Sequence, residues 1–104
     1  MYYIYMLRCS DNSLYTGITN NLDKRMKTHF TKKNNAAKYT KSRQAMSVEA
    51  LWETETKSGA LKLEARIKKL VKTKKELLVA HPELLLQFFE DLQDTYEYVV
   101  LQTQ

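Results

Sequence analysis

Apolar positions in this chain recur at two periods, and the two periods mark out its elements. Residues 2–8, Tyr-Tyr-Ile-Tyr-Met-Leu-Arg, alternate weakly but are rich in Tyr and Ile, a composition that predicts a strand. Ser10-Asp11-Asn12-Ser13 predicts a turn, because these side chains hydrogen-bond locally and tolerate turn dihedrals. Leu14 to Thr19 predicts a second strand, antiparallel to the first. Asn20 or Asn21 can cap a helix from Leu22, and Leu22, Met26 and Phe30 then share one face. Thr31 to Gln44 is polar and basic without a period, and is expected to be a loop or irregular helix. Val48, Ala50, Trp52 and Thr54 alternate with Glu49, Glu53 and Glu55, with Leu51 out of step, which predicts a third strand.

Ser58 can cap the next helix, where Ala60, Leu63, Ile67, Leu70 and Val71 form an apolar stripe. Lys74 to Ala80 predicts a further short helix. His81-Pro82 interrupts it, since the residue before proline avoids helical dihedrals. Glu83 to Asp94 predicts a last helix with Leu84, Leu85, Phe88, Phe89 and Leu92 apolar. There is no internal repeat. The order ββαβα describes a small α+β domain, a three-stranded antiparallel sheet flanked by helices, with a C-terminal helix added. The expected division is a domain over 1–79 and an acidic helical extension over 80–104, packed on the domain or at an interface.

Composition narrows the class. A chain of 104 residues suits one core rather than two. Its single cysteine, Cys9, can form no internal disulfide, which points to a reducing compartment. Arg8 ends the apolar start too early for a signal peptide or a membrane span. A cytoplasmic protein with no membrane partner is expected. Charge changes the picture more. All 17 Lys and Arg fall in residues 1–75 against six of the 12 acids, a net +11, while residues 76–104 carry the other six acids, a net −6. A body of that charge suits a polyanion, of which DNA and RNA are the usual examples, although lysine-rich helices also serve plain solubility.

Several chemistries are missing. Two histidines and one cysteine cannot build a thiolate or multi-histidine zinc site. With only Gly17 and Gly59 there is no phosphate-cradling glycine loop. What remains is a set of residue types suited to phosphate chemistry: Tyr5, Tyr15, Arg25, His29 and Glu64. Arg25 and His29 stand four apart, so they stack along one side of the first helix beside its apolar face. Glu64 lies at the margin of the next helix's stripe, beside Val71, with Lys68 one turn on. The same spacings fit blander roles. Glu64 and Lys68 match a solvent-side helix pair, His29 a satisfied core histidine, and the tyrosines ordinary strand formers.

Taken together, Tyr3-Ile4-Tyr5, Tyr15-Thr16-Gly17, Arg25, His29 and Glu64 resemble the GIY-YIG endonuclease family over about residues 2–75. The segments Tyr5-Met6-Leu7-Arg8-Cys9 and Ala37-Lys38-Tyr39-Thr40-Lys41 are similar to its small stand-alone bacterial members. Tyr3 stands where the family has glycine, and Thr16 where it has isoleucine. The resemblance implies a metal-dependent endonuclease that hydrolyses phosphodiester bonds in DNA, structure-selective and linked to repair or recombination. Tyr5 would activate the attacking water, directly or with Tyr15. Arg25 would hold the scissile phosphate, and His29 would assist proton transfer or hold a tyrosine hydroxyl. Glu64 would be the lone protein ligand of one divalent cation, Mg²⁺ or another such as Mn²⁺. Arg8, Lys32, Lys33, Lys38, Tyr39, Lys41, Arg43 and Lys68 would contact nucleic acid, in branched, flap or nicked form. The competing reading is a nucleic-acid-binding module of the same fold that does not cleave. The segment 83–101 is a further candidate for a protein partner or self-association.

Overall fold

The computed structural model describes residues 1–31 and 44–103. The expected loop at 31–44, with Lys32, Lys33, Lys38, Tyr39, Lys41 and Arg43, therefore lies almost wholly outside the described residues. Strands β1 (Tyr2–Cys9), β2 (Leu14–Thr19), β3 (Ala45–Thr54) and β4 (Val99–Leu101) form one antiparallel sheet in the order β2-β1-β3-β4. Helix α1 (Leu22–Thr31) joins β2 to the segment before β3. Helices α2 (Lys57–Lys68) and α3 (Lys72–Ala80) follow β3, and a 3-10 turn (Pro82–Leu84) leads to the one-turn helices α4 (Leu85–Phe88) and α5 (Glu90–Gln93).

The sheet is covered on both faces, which explains why β1 alternates so weakly. Ile4 and Met6 pack with Trp52, Leu63, Ile67 and Leu85, whereas Tyr5 and Leu7 pack on the opposite face with Leu51, Leu22, Met26 and Phe30. Ile4, Tyr5, Met6 and Leu7 are all fully buried. A central strand buried on both sides reads as a continuous apolar run. Leu51 is out of step for the same reason: it serves the α1 face and Trp52 the α2 face.

The differences from the sequence reading are local. The sheet has four strands, because Leu51, Trp52 and Glu53 pair with Leu101, Val100 and Val99. Thr56, not Ser58, caps α2: its hydroxyl accepts from the Gly59 N–H at 3.0 Å, and the Ser58 hydroxyl meets the Tyr96 hydroxyl at 2.9 Å instead. Asn21 supplies the α1 cap through Oδ1 and the Lys24 N–H at 3.2 Å. Val71 is not in the α2 stripe; it precedes α3 and is exposed.

The single helix expected over 83–94 is broken at Phe89, whose dihedrals (φ −131°, ψ 52°) leave the helical region. The break lets Leu85, Phe89 and Leu92 all enter the core that holds Ile4 and Trp52, together with Tyr98. The Tyr98 hydroxyl donates to the Gly59 carbonyl at 2.7 Å, and the Trp52 indole donates to the Pro82 carbonyl at 3.3 Å. Residues 82–101 thus close the α2 face of the sheet. No helix among the described residues is long and apolar enough to cross a membrane.

Candidate active site

Pairing of β1 with β2 brings the two tyrosine segments together. Tyr5 lies opposite Gly17 and Leu7 opposite Tyr15. Tyr5, Tyr15 and Gly17 face α1, where the i,i+4 step presents Arg25 and His29 to them. The Tyr5 hydroxyl lies 2.9 Å from His29 Nε2, and neither side chain is exposed. The Tyr5, Tyr15 and His29 rings form a triangle, with centroids 6.3 Å apart for the tyrosines and 5.6 and 5.4 Å from each to the imidazole. Gly17 makes that packing feasible. A Cβ there would stand 2.5 Å from the Tyr5 hydroxyl oxygen and 3.0 Å from Tyr15 Cε2, closer than side chains tolerate.

The electrostatics follow from burial. It pushes the Tyr5 phenol up to about 12; Tyr15 and Glu64 add to the rise, while the Arg25 guanidinium works against it. Burial pulls His29 down to about 4, with the Arg25 charge adding to the fall. Arg25 is itself desolvated, which lowers its pKa, but Tyr5 and Tyr15 more than offset this and it ends above its ordinary value. At neutral pH the cluster holds a protonated phenol, a neutral imidazole able to accept from it, and one fixed positive charge.

Glu64 stands on a different element from the cluster. It lies on α2, its side chain 19 % exposed and its carboxylate 3.4 Å from Lys68 Nζ. Its charge acts on Tyr5 while it keeps the helix pair with Lys68. No group of three or more His, Cys, Asp or Glu able to hold a metal occurs among the described residues. A lone carboxylate fits a hard cation that keeps most of its waters, as Mg²⁺ does, and does not fit zinc.

Arg8 is placed elsewhere. Its guanidinium makes a two-pronged contact with Glu76, at 2.5 and 2.7 Å, and a third with Glu49 at 3.0 Å. Glu49 is the residue skipped where β3 slips register against Met6 and Leu7, and such a bulge re-aims a side chain. Arg8 thus ties β1, β3 and α3 together. Two features went unread in the sequence. Lys24, beside Arg25, helps line a concavity of about 230 Å³ with Thr19, Asn20, Asn21 and Thr28. Thr16 carries a buried hydroxyl without a hydrogen-bond partner among the described residues. Adjacency to Arg25 could have flagged the first; nothing in the sequence could have flagged the second.

Comparison with known proteins gives a consistent result. The family model described as the GIY-YIG catalytic domain matches residues 1–76. The UPF0213 protein FN1575 of Fusobacterium nucleatum is 39% identical over 92 residues, covering 88% of this chain and 90% of the relative. The UPF0213 protein RBAM_000440 of Bacillus velezensis is 39% identical over 102 residues, covering 98% and 91%. Among solved structures, the solution NMR structure of the UPF0213 protein BH0048 from Bacillus halodurans is similar, with 41% identity and a TM-score of 0.50. That match covers 77% of this chain and 84% of that one.

Proposed function

Because this chain belongs to the GIY-YIG family and carries its nuclease-type catalytic domain, we propose that it is a divalent-metal-dependent endonuclease hydrolysing phosphodiester bonds in DNA. The observation that carries the reading is the buried Tyr5–His29 hydrogen bond beside Arg25, with the Glu64 charge on α2 acting on Tyr5.

The pKa values decide how such a site can work. Forming a free Tyr5 phenolate at pH 7 from a phenol near 12 costs about 7 kcal/mol, too much for a resting base. A relay lowers that cost. Tyr5, with the half-buried Tyr15 beside it, passes its proton toward His29 Nε2 as one is drawn from the attacking water, so no full phenolate has to accumulate. His29 is neutral at pH 7 but, at about 4, a weak base that costs about 4 kcal/mol to protonate there. Arg25 holds the phosphate and offsets the charge that develops on it. Phosphate binding also offsets the Arg25 charge, which relieves one of the two influences that keep His29 a weak base. Glu64 would hold the cation, which when bound polarises the phosphate and stabilises the leaving oxygen.

A single compact domain with a +11 body suits selection by DNA shape rather than by extended sequence, so branched, flap and nicked DNA in repair or recombination are the proposed substrates. Lys68, beside Glu64, and the basic residues of 32–43 are the proposed backbone contacts. Incubating the purified protein with each DNA, with and without Mg²⁺ or Mn²⁺, tests the reading. Metal-dependent cleavage lost in Arg25→Ala and in Glu64→Ala supports it. Binding without cleavage by the wild-type chain selects the non-catalytic module.

A further inference from the structure

Arg25 belongs to two neighbourhoods at once. On one side its guanidinium hydrogen-bonds the Tyr5 and Tyr15 hydroxyls. On the other it lines the concavity of about 230 Å³ that it shares with Thr19, Asn20, Asn21, Lys24 and Thr28. The helical step of about 100° explains the double placement. Around α1 the order is His29, Arg25, Thr28, Lys24, with Arg25 about 40° from His29 and Lys24 about 100° further on. The tyrosine cluster and the concavity are therefore adjacent, with one guanidinium between them.

The lining suits an anion. Two of its six residues are cations, four are neutral polar groups and none is an acid. Asp23 lies about 100° from Lys24 on the side away from Arg25, outside this arc of the helix. The positive charge comes from side chains on the flank of α1, not from the helix end, where Asn21 Oδ1 accepts from the Lys24 N–H at 3.2 Å. The rim is held by Thr19, whose hydroxyl accepts from the Asn21 N–H at 3.0 Å and donates to the Asn21 carbonyl at 3.2 Å. Lys68 and Lys72, by contrast, face carboxylates of their own helices. The volume is several times the about 30 Å³ share of one water. It is below the about 300–1,000 Å³ of a pocket that encloses a whole small molecule. Such a space takes one charged piece of a ligand anchored next door.

We propose that Lys24 is a positioning residue that holds, in this concavity, the phosphate next to the scissile one on the cut strand. The inference rests on the DNA-cleaving reading above, which sets the scissile phosphate on Arg25. A strand carries one negative charge per nucleotide, so fixing one phosphate brings its neighbour close. Lys24 and Arg25 are consecutive and diverge by about 100°, so they reach adjoining points rather than the same one. Lys24 is exposed and carries its charge on a flexible stem, so it can meet the strand without disturbing the fold. Two contacts on one strand fix its direction across the tyrosines, which a single contact cannot do.

The test pairs the side chain with the phosphate. Wild-type protein first maps the cut in whichever of the nicked, flap and branched DNAs it cleaves. The phosphate on each side of the cut is then replaced in turn by an uncharged methylphosphonate. Fluorescence anisotropy in EDTA reads the affinity of wild type, Lys24→Ala and Lys24→Arg for each DNA. One of the two replacements is expected to weaken wild-type binding several-fold and to cost Lys24→Ala nothing further. Lys24→Ala should also lower the slope of log affinity against log salt by about 1, and Lys24→Arg should restore both behaviours. The same response to both replacements in Lys24→Ala as in the wild type would overturn the assignment of Lys24 while leaving cleavage at Arg25 standing. A wild type that cuts none of these DNAs would overturn the endonuclease reading and this inference with it.

Discussion

The Tyr5 hydroxyl and His29 Nε2 form a 2.9 Å hydrogen bond that no solvent reaches, and it joins the central strand to the first helix. In the proposed relay the two groups form one proton path, so their losses should overlap. Tyr5→Phe and His29→Gln are each expected to lower the cleavage rate by about 10²–10⁴-fold. The double variant should be little worse than either, because members of one relay are strongly non-additive. Fully multiplicative losses in single-turnover cleavage would mean that the two act separately.

His29 also leaves a mark on stability that needs no substrate. Its pKa falls from an ordinary 6.5 to about 4 in the folded chain, so below pH 6.5 the unfolded state binds the extra proton first. Wild-type stability should fall as pH drops from about 6.5 to about 4, losing about 3 kcal/mol relative to His29→Gln, and the gap should level off below that window. Urea denaturation of both proteins across the window measures it. In Arg25→Gln, the His29 titration followed by NMR should move upward.

Gly17 is required for space rather than for backbone freedom, since it does not adopt a positive φ. A methyl group there would stand 2.5 Å from the Tyr5 hydroxyl oxygen and 2.7 Å from Cζ. Gly17→Ala should displace the Tyr5 ring from His29 and abolish cleavage. Overpacking of this kind typically costs about 1–3 kcal/mol, so the fold should survive. An active Gly17→Ala enzyme would show that the tyrosine need not sit where it does.

Arg8 should matter to stability and little to DNA. Its contacts with Glu49 and Glu76 are partly exposed, so screening reduces them, and Arg8→Ala is expected to cost about 1–2 kcal/mol. Salt-dependent DNA affinity should be unchanged. A shallower salt slope in the variant would make Arg8 a phosphate contact after all.

Asp91, in the acidic C-terminal segment, is held away from Glu64. Asp91 pairs with Arg66, two residues and so about 200° around α2 from Glu64. Leu85, Phe89, Leu92 and Tyr98 belong to the main core. Phe89→Ala alone should cost about 3–5 kcal/mol. Deleting residues 83–104 should leave an unfolded or aggregated chain, whereas Asp91→Asn should fold and bind DNA as the wild type does. A folded, monomeric deletion product that binds DNA more tightly would instead make the segment a competitor for nucleic acid.

Local patterns determined much of this. The turn at Ser10–Ser13, the caps near Asn21 and the i,i+4 step from Arg25 to His29 depend on neighbours within a few residues, and so they were legible in the sequence. The same is true of the helical period of α2 and of the charge division at residue 75. The partners of those residues were not legible. Whether His29 meets a tyrosine, and which one, depends on the register that sets Tyr5 against Gly17 and leaves the glycine open to the ring. The Arg8–Glu76 pair was not legible because Glu76, 68 positions away, approaches only when α3 folds back over the sheet. The break at Phe89 coincides with burial of its ring in the core, a tertiary contact no local pattern records. β4 exists only because β3 offers an edge for Val99–Leu101 to pair with. Thr16 reads as an ordinary strand residue until the sheet is covered on both faces, when burial leaves its hydroxyl without a partner.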